Sequence, residues 1–331
     1  MTSNQKTLVL VIKPLEPLHF GKTQIPGIDL AGRDAAFTAP PPSTILGLLA
    51  SIKGINYYNK PKPCNRPLED LKTTYRELTG EELTPTIEGV DRPLIWGPVV
   101  YIEKIPHIPI EGGYFVPRGE MEKYIDNAAG ENSKIKIKKA TVNIKPGIAL
   151  DPTSKTPRYG YLYGATYVGY PLASEIRYVV NMAIPTDQNY KGVYRLGGEG
   201  RLAQIELREK PVDIRGEKPE GESKKSEDAI VLTPLLFQPE DGYARTAGHP
   251  KGPTPGLECV EEIRGIYTGD TFKIVAEPMG LGYSEVCNRR RPLYYALPPG
   301  TVVKIKCKYK AVGLFSQLGY GAIIRTKDRL P

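Results

Sequence analysis

The chain has 331 residues, 40% hydrophobic and 25% charged, enough apolar material for a packed core, which excludes a disordered chain. At roughly 150 residues per domain, two domains are expected. The formal net charge of +8 favours a polyanionic partner, usually nucleic acid or an anionic surface.

The first apolar run, "TLVLVI", leads into "KPLEPLHF" rather than a small-residue cleavage site. No run approaches the roughly eighteen apolar residues that span a bilayer. A cytoplasmic protein without a membrane segment is therefore expected. Cys64, Cys259, Cys287 and Cys307 form no C-x-x-C pair, and their spacing suggests no zinc site. Four free thiols are expected, with Cys307 a small core residue in a strand.

"KTLVLVIKPL" (6–15) reads as a strand rich in β-branched residues. A loop with Gly21, Gly27 and Gly32 comes next, carrying Lys22 and Arg33. In "APPPSTILGLLASIKG" the prolines forbid helix, and Ser43 or Thr44 can cap a helix that begins after them. Ile45, Leu46, Leu48, Leu49 and Ile52 then mark one helical face, and Gly54 ends it. "PLEDLKTTYRELTG" (67–80) predicts a second helix, with Leu68, Leu71, Tyr75 and Leu78 at helical spacing, Glu69 and Asp70 in the first turn and Gly80 as the stop.

Residues 92–105 read as strand material interrupted at Gly97-Pro98. The alternating Lys/Ile run 133–145 reads as a two-faced strand or ribbon. Further strands are expected at 175–184, 201–209, 229–237, 271–277 and 301–310. In the last, Val303, Ile305, Cys307 and Tyr309 share one face and Lys304, Lys306, Lys308 and Lys310 the other. Residues 211–228 are polar and charged, an expected exposed loop. Strands outnumber helices, which suits an α+β protein with antiparallel sheets. The expected seam lies near 185–192, dividing the chain into 1–190 and 191–331.

No catalytic constellation is legible. His19, His107 and His249 stand in unrelated loops, outside any H-x-x-x-H or His-Asp arrangement. In "VYRLGGEGRLAQ" (193–204), Glu199 is followed by Gly200, so the second carboxylate that a two-metal turn requires is missing. Neither a dinucleotide fingerprint nor a P-loop occurs. No metal or cofactor is expected, and the chain reads as a binder.

Three glycine loops beside basic residues carry the binding chemistry. The loop 21–33 runs into Ser43 and Thr44 at a helix N-terminus, which suits a phosphate or is an ordinary capped core helix. Gly197 and Gly198 allow close backbone approach, and Arg195 and Arg201 can clamp phosphates; the bland reading is a hairpin with solvated arginines. Gly319 and Gly321 flank Tyr320, which stacks on a base or is buried in a turn. Arg289, Arg290 and Arg291 add a basic run. The lysines at 304–310 read as phosphate-tracking or as a solubilising edge.

"APPPSTILGLL", "LIWGPVV", "LGGEGRLA", "IVLTPLLF", "ALPPGTVVKIK" and "GLFSQLGYGAIIR" occur in that order. Together they resemble the RAMP subunit of type III-B CRISPR effector (Cmr) complexes that holds the 5′ end of the guide RNA. The resemblance spans nearly the whole chain. It implies two ferredoxin-like (RRM-like) domains with long insertions, at 56–95, 106–175 and 211–228. It also implies a non-catalytic subunit that clasps the crRNA 5′ handle and docks on the large polymerase-palm-like subunit and on the adjacent backbone RAMP subunit, meeting target RNA only indirectly. His19, Lys22, Arg33, Ser43, Thr44, Arg195, Gly197, Gly198, Arg201, Arg289, Arg290, Arg291, Gly319, Tyr320 and Gly321 are the expected RNA contacts. The rivals are the equivalent type III-A (Csm) subunit, a RAMP-type metal-independent endoribonuclease with His19 as general base, and a protein–protein scaffold with little RNA contact.

Overall fold

Leu8, Leu10 and Ile12 alternate with Val9 and Val11 in the strand Lys6–Pro14, which lies inside the largest sheet. The computed structural model describes residues 5–22, 33–55, 68–86, 88–151, 153–183, 190–209, 226–238, 254–284, 287 and 289–331. Cys64, His249, most of the loop 21–33, most of the expected seam and nearly all of 211–228 lie outside the described residues. No described helix is long and apolar enough to cross a membrane.

Among the described residues the largest sheet has eight strands. Their spatial order is Tyr190–Arg195, Leu202–Glu209, Lys6–Pro14, Glu175–Met182, Ile95–Ile102, Ile105–Ile110, Tyr114–Pro117 and Lys138–Lys139. A second sheet has the order Phe272–Lys273, Val260–Tyr267, Val302–Ile305, Glu227–Val231 and Ile323–Ile324. The strands pair antiparallel throughout both sheets. In the first, the neighbours Leu202–Glu209, Lys6–Pro14, Glu175–Met182 and Ile95–Ile102 come fourth, first, third and second along the chain. Ile323–Ile324, Glu227–Val231, Val302–Ile305 and Val260–Tyr267 repeat that order in the second. The hairpin 190–209 completes the first sheet, so the expected division at 190 cuts through it.

Helix α1 (Pro42–Ile52) buries Ile45, Leu46, Leu48 and Leu49 against the first sheet's core. Fully burying each such side chain is worth roughly 1.5–3 kcal/mol. The prolines do not stay outside it. Pro41 is the N-cap and Pro42 the first helical residue, where its fixed φ suits the helix and its missing N–H costs nothing. Ser43 and Thr44 therefore sit inside the first turn rather than capping it. Helix α2 (Glu69–Thr79) matches its expected span, and Gly80 ends it at φ +79°. A short third helix, α3 (Met121–Ala128), has no counterpart among the expected elements; its Tyr124 is fully buried and donates to the Gly300 carbonyl at 2.8 Å.

Several strand expectations are corrected. Ile95–Ile102 runs through Gly97-Pro98, absorbing the cis peptide where the register against Glu175–Met182 shifts. Residues 229–237 divide between two sheets at Leu232–Pro234. Residues 271–277 supply only Phe272–Lys273 and the first residue of Glu277–Gly280. The Lys/Ile run joins a ladder only from Lys138, although Ile135 and Ile137 pack inward. Val302–Ile305 ends before the lysine stripe is complete; Lys304 pairs with Glu261 and Lys310 with Asp328. Cys259 and Cys307 form a disulfide, so the expectation of four free thiols fails.

The core is interleaved. One apolar cluster joins Leu10, Leu49 and Tyr178 to Leu236, Met279 and Phe315. A second joins Trp96 and Ile108 to Ile230, Val302 and Ile324. Only the third lies wholly in the C-terminal part, around Val231, Leu297 and Ile323.

Candidate functional site

The strands Tyr190–Arg195 and Leu202–Glu209 are joined by the loop that carries Gly197, Gly198 and Gly200, and Leu196 N–H donates to the Arg201 carbonyl at 2.7 Å to close it. The glycines are needed by the protein itself. A Cβ on Gly197 would stand 2.3 Å from the His19 carbonyl oxygen, and one on Gly198 2.7 Å from His19 Cδ2. Gly198 N–H donates to that same carbonyl at 2.9 Å. The loop thus rests on the segment Leu18–Phe20, which Leu18 pins to Val168 by two backbone hydrogen bonds.

His19 is buried beneath this loop, with Nδ1 2.8 Å from the Thr166 carbonyl oxygen. A carbonyl can only accept, so Nδ1 carries the hydrogen. Its ring lies 5.4 Å from that of Tyr167. Tyr167 is also faced by two cations, the Arg201 guanidinium at 4.6 Å and Lys145 Nζ at 5.3 Å from the ring centroid. Glu16 holds Arg201 from the other side, with Oε2 2.6 Å from Nη1, and accepts the Leu202 amide at 2.8 Å. The bond from Arg201, then that from Leu202, draws the Glu16 carboxyl below its ordinary value. Contact with Tyr167, then Glu16, raises Arg201 above its own. Arg195 is exposed, on the same strand face as Lys191 and Val193.

The loop, His19 and Arg201 therefore converge, while other expected contacts are engaged inside the fold. Lys22 is 9% exposed and clamped between Glu111 and Glu277. Burial, and then Glu277, push the Glu111 carboxyl up against the pull of Lys22. The helix N-terminus offers little to a phosphate. Pro41 and Pro42 have no N–H, and the amides of Thr44 and Ile45 already reach the Pro41 carbonyl. Arg291 is bound to Asp70, Nη2 to Oδ2 at 2.5 Å, and to the Leu281 carbonyl at 2.9 Å. Arg289 and Arg290 form a short exposed strand paired with Tyr283–Ser284. Only the backbone of Arg33 is described; it pairs with Gly164.

Tyr320 is fully buried and cannot stack on a base in this fold. Gly319 and Gly321 serve contacts within the chain. A Cβ on Gly319 would meet the Ile95 carbonyl oxygen at 2.0 Å, and one on Gly321 the Val312 carbonyl oxygen at 1.8 Å.

Lys145, Tyr167 and Glu16 were missed by sequence reading. Lys145 and Tyr167 belong to the long hairpin Thr141–Leu150/Pro157–Gly169, inside a stretch that the family resemblance assigns to an insertion. The spaced tyrosines of "YGYLYGATYVGY" were its available signal.

These features define an antiparallel α+β protein presenting a basic, aromatic-backed loop. The chain belongs to the family of the CRISPR-associated protein Cas_Cmr3, whose model matches residues 61–319. It is 29% identical over 251 residues to the CRISPR system CMR subunit Cmr3 of Saccharolobus solfataricus, covering 70% of each chain. Its fold matches a chain in the cryo-EM structure of the type III-B Cmr-beta bound to cognate target RNA and AMPPnP, at TM-score 0.55 and 20% identity, over 89% of this chain and 86% of that one. A second structure, of the type III-B Cmr-beta bound to cognate target RNA, matches over the same shares with TM-score 0.55 and 21% identity.

Proposed function

We propose that this chain is a non-catalytic, RNA-binding subunit of a type III-B CRISPR effector (Cmr) complex, acting in the cytoplasm. It holds the repeat-derived 5′ handle of the crRNA. The loop 195–201 provides the binding surface, with Arg195 reaching phosphate and the Lys145–Tyr167–Arg201 stack behind it. The chain docks on the large palm-domain subunit and on the first backbone subunit, and meets target RNA only through them. The family match over 61–319 is the observation that carries this assignment, and it favours type III-B over type III-A. The net charge of +8 and the exposed basic strand beside the loop support contact with RNA.

We read the two sheets as two ferredoxin-like units, on the strength of the strand order that both share. The hairpin 190–209 then belongs to the first unit. Metal-independent cleavage would need His19 as general base. His19 is 8% exposed and its ring lies against Gly198, so His19 supports the loop instead.

Arg195→Ala tests the interface without disturbing the Glu16–Arg201 pair. In the assembled complex, the slope of log affinity for crRNA against log salt should fall by about 1, as expected for one lost phosphate contact. An unchanged slope would remove Arg195 from the interface.

A further inference from the structure

Glu88, Cys259 and Cys307 come together from three separate segments. Glu88 precedes the short strand Gly89–Val90, which pairs with Ala311–Val312. Lys310 N–H donates to the Val90 carbonyl at 3.0 Å and Gly313 N–H to the Glu88 carbonyl at 3.1 Å, so the backbone around Glu88 is held from both sides. Cys259 stands just before Val260–Tyr267, and its carbonyl accepts the Lys306 amide at 3.0 Å. Cys307 follows Val302–Ile305. The two sulfurs are bridged, and Glu88 Oε1 lies 3.4 Å from each of them. Among the described residues this is the one group of three His, Cys, Asp or Glu side chains whose ligand atoms lie within 4.8 Å of one another.

A carboxylate gains nothing from a bridged pair, because neither sulfur carries a hydrogen and both present lone pairs. The same oxygen suits the pair once the bridge is opened. Two thiolates and a carboxylate then surround one point, a donor set for a borderline-soft divalent cation that accepts sulfur and oxygen together. Cys259 is 1% exposed, Cys307 is half-buried and Glu88 is exposed. A cation can therefore arrive from the Glu88 side, where water can take the fourth position.

We propose that, with the bridge reduced, the chain binds one zinc ion through Cys259 Sγ, Cys307 Sγ and a Glu88 carboxylate oxygen. Binding releases the two thiol protons. The bridged and zinc-bound forms exclude each other, since the same two sulfurs serve both. This departs from the metal-free expectation drawn from the cysteine spacing, which could not register ligands so far apart in the chain. It does not depend on RNA binding.

The test uses the full chain, reduced with a phosphine that is oxidised to its phosphine oxide and leaves two thiols. Zinc is titrated against a chromophoric indicator, and cobalt(II) is used to read thiolate-to-metal charge transfer. One equivalent should bind to the wild type and to Cys64→Ser/Cys287→Ser, with a thiolate–cobalt band in both. Glu88→Gln, an exposed change that leaves both sulfurs in place, should weaken zinc binding by about tenfold or more. Cys259→Ser/Cys307→Ser should abolish the band. The proposal is overturned if the reduced wild type takes up no zinc, if Glu88→Gln binds as tightly as the wild type, or if the band is lost in Cys64→Ser/Cys287→Ser.

Discussion

Asp70, in the first turn of α2, is 5% exposed, and Arg291 reaches it from 221 residues further along the chain. Burial works against the Asp70 carboxylate, but the bonds and charge of Arg291 outweigh it, and the carboxyl stays below its ordinary value. The ordinary value is about 3.9. The pair's contribution is therefore complete above that pH and is lost as pH falls through the lower folded value. Thermal unfolding scans should show the wild type losing stability below about pH 4 more steeply than Asp70→Asn/Arg291→Met; parallel pH profiles would contradict this role. At neutral pH, Asp70→Asn alone should cost about 3 kcal/mol in denaturant unfolding, because it leaves a partly buried guanidinium without its charge partner. Arg291 and Lys22 both looked available for phosphate in the sequence. Their carboxylate partners are 221, 89 and 255 residues away, and no local pattern records such distances.

The elements whose signals are local were the legible ones. Helices α1 and α2 follow from apolar spacing, and Gly80 marks a true stop. The glycine loops were legible as places of close approach, but the approaching group is mostly the protein's own. At 195–201 it is His19, and at 319–321 it is the carbonyls of Ile95 and Val312. Of the hairpin 141–169 only the start was legible, as the end of the Lys/Ile run 133–145; its second strand carries Gly160, Gly164 and Gly169, which break the strand signal. The Cys259–Cys307 bridge was hidden by its 48-residue separation and by the absence of any C-x-x-C motif. Gly321 adopts φ +62°, where Ala is strained, and its Cβ would enter the Val312 carbonyl. Gly321→Ala should therefore lower unfolding free energy by about 2–4 kcal/mol. A loss below about 0.5 kcal/mol, the range of a surface change, would contradict the close packing there.

The whole molecule joins two sheets of like strand order through shared apolar clusters. Leu94 N–H donates to the Gln317 carbonyl at 2.7 Å and the Trp96 indole to that of Ile323 at 3.0 Å, so the closing segment is stitched into the first sheet. Such sharing predicts one cooperative thermal transition for the full chain, and two separated transitions would contradict it. Among the described residues many cations at the first sheet are matched by carboxylates, as Lys6 is by Glu209, Lys13 by Glu175 and Arg208 by Glu206. Lys191 and Arg195 stay exposed on the edge strand beside the loop, where guide RNA is proposed to lie. The most direct test compares assembly and affinity of the reconstituted complex for a crRNA with its native 5′ handle and for one with the handle scrambled. Weaker binding and impaired assembly with the scrambled handle are expected; equal affinity and equal assembly would contradict handle recognition by this subunit.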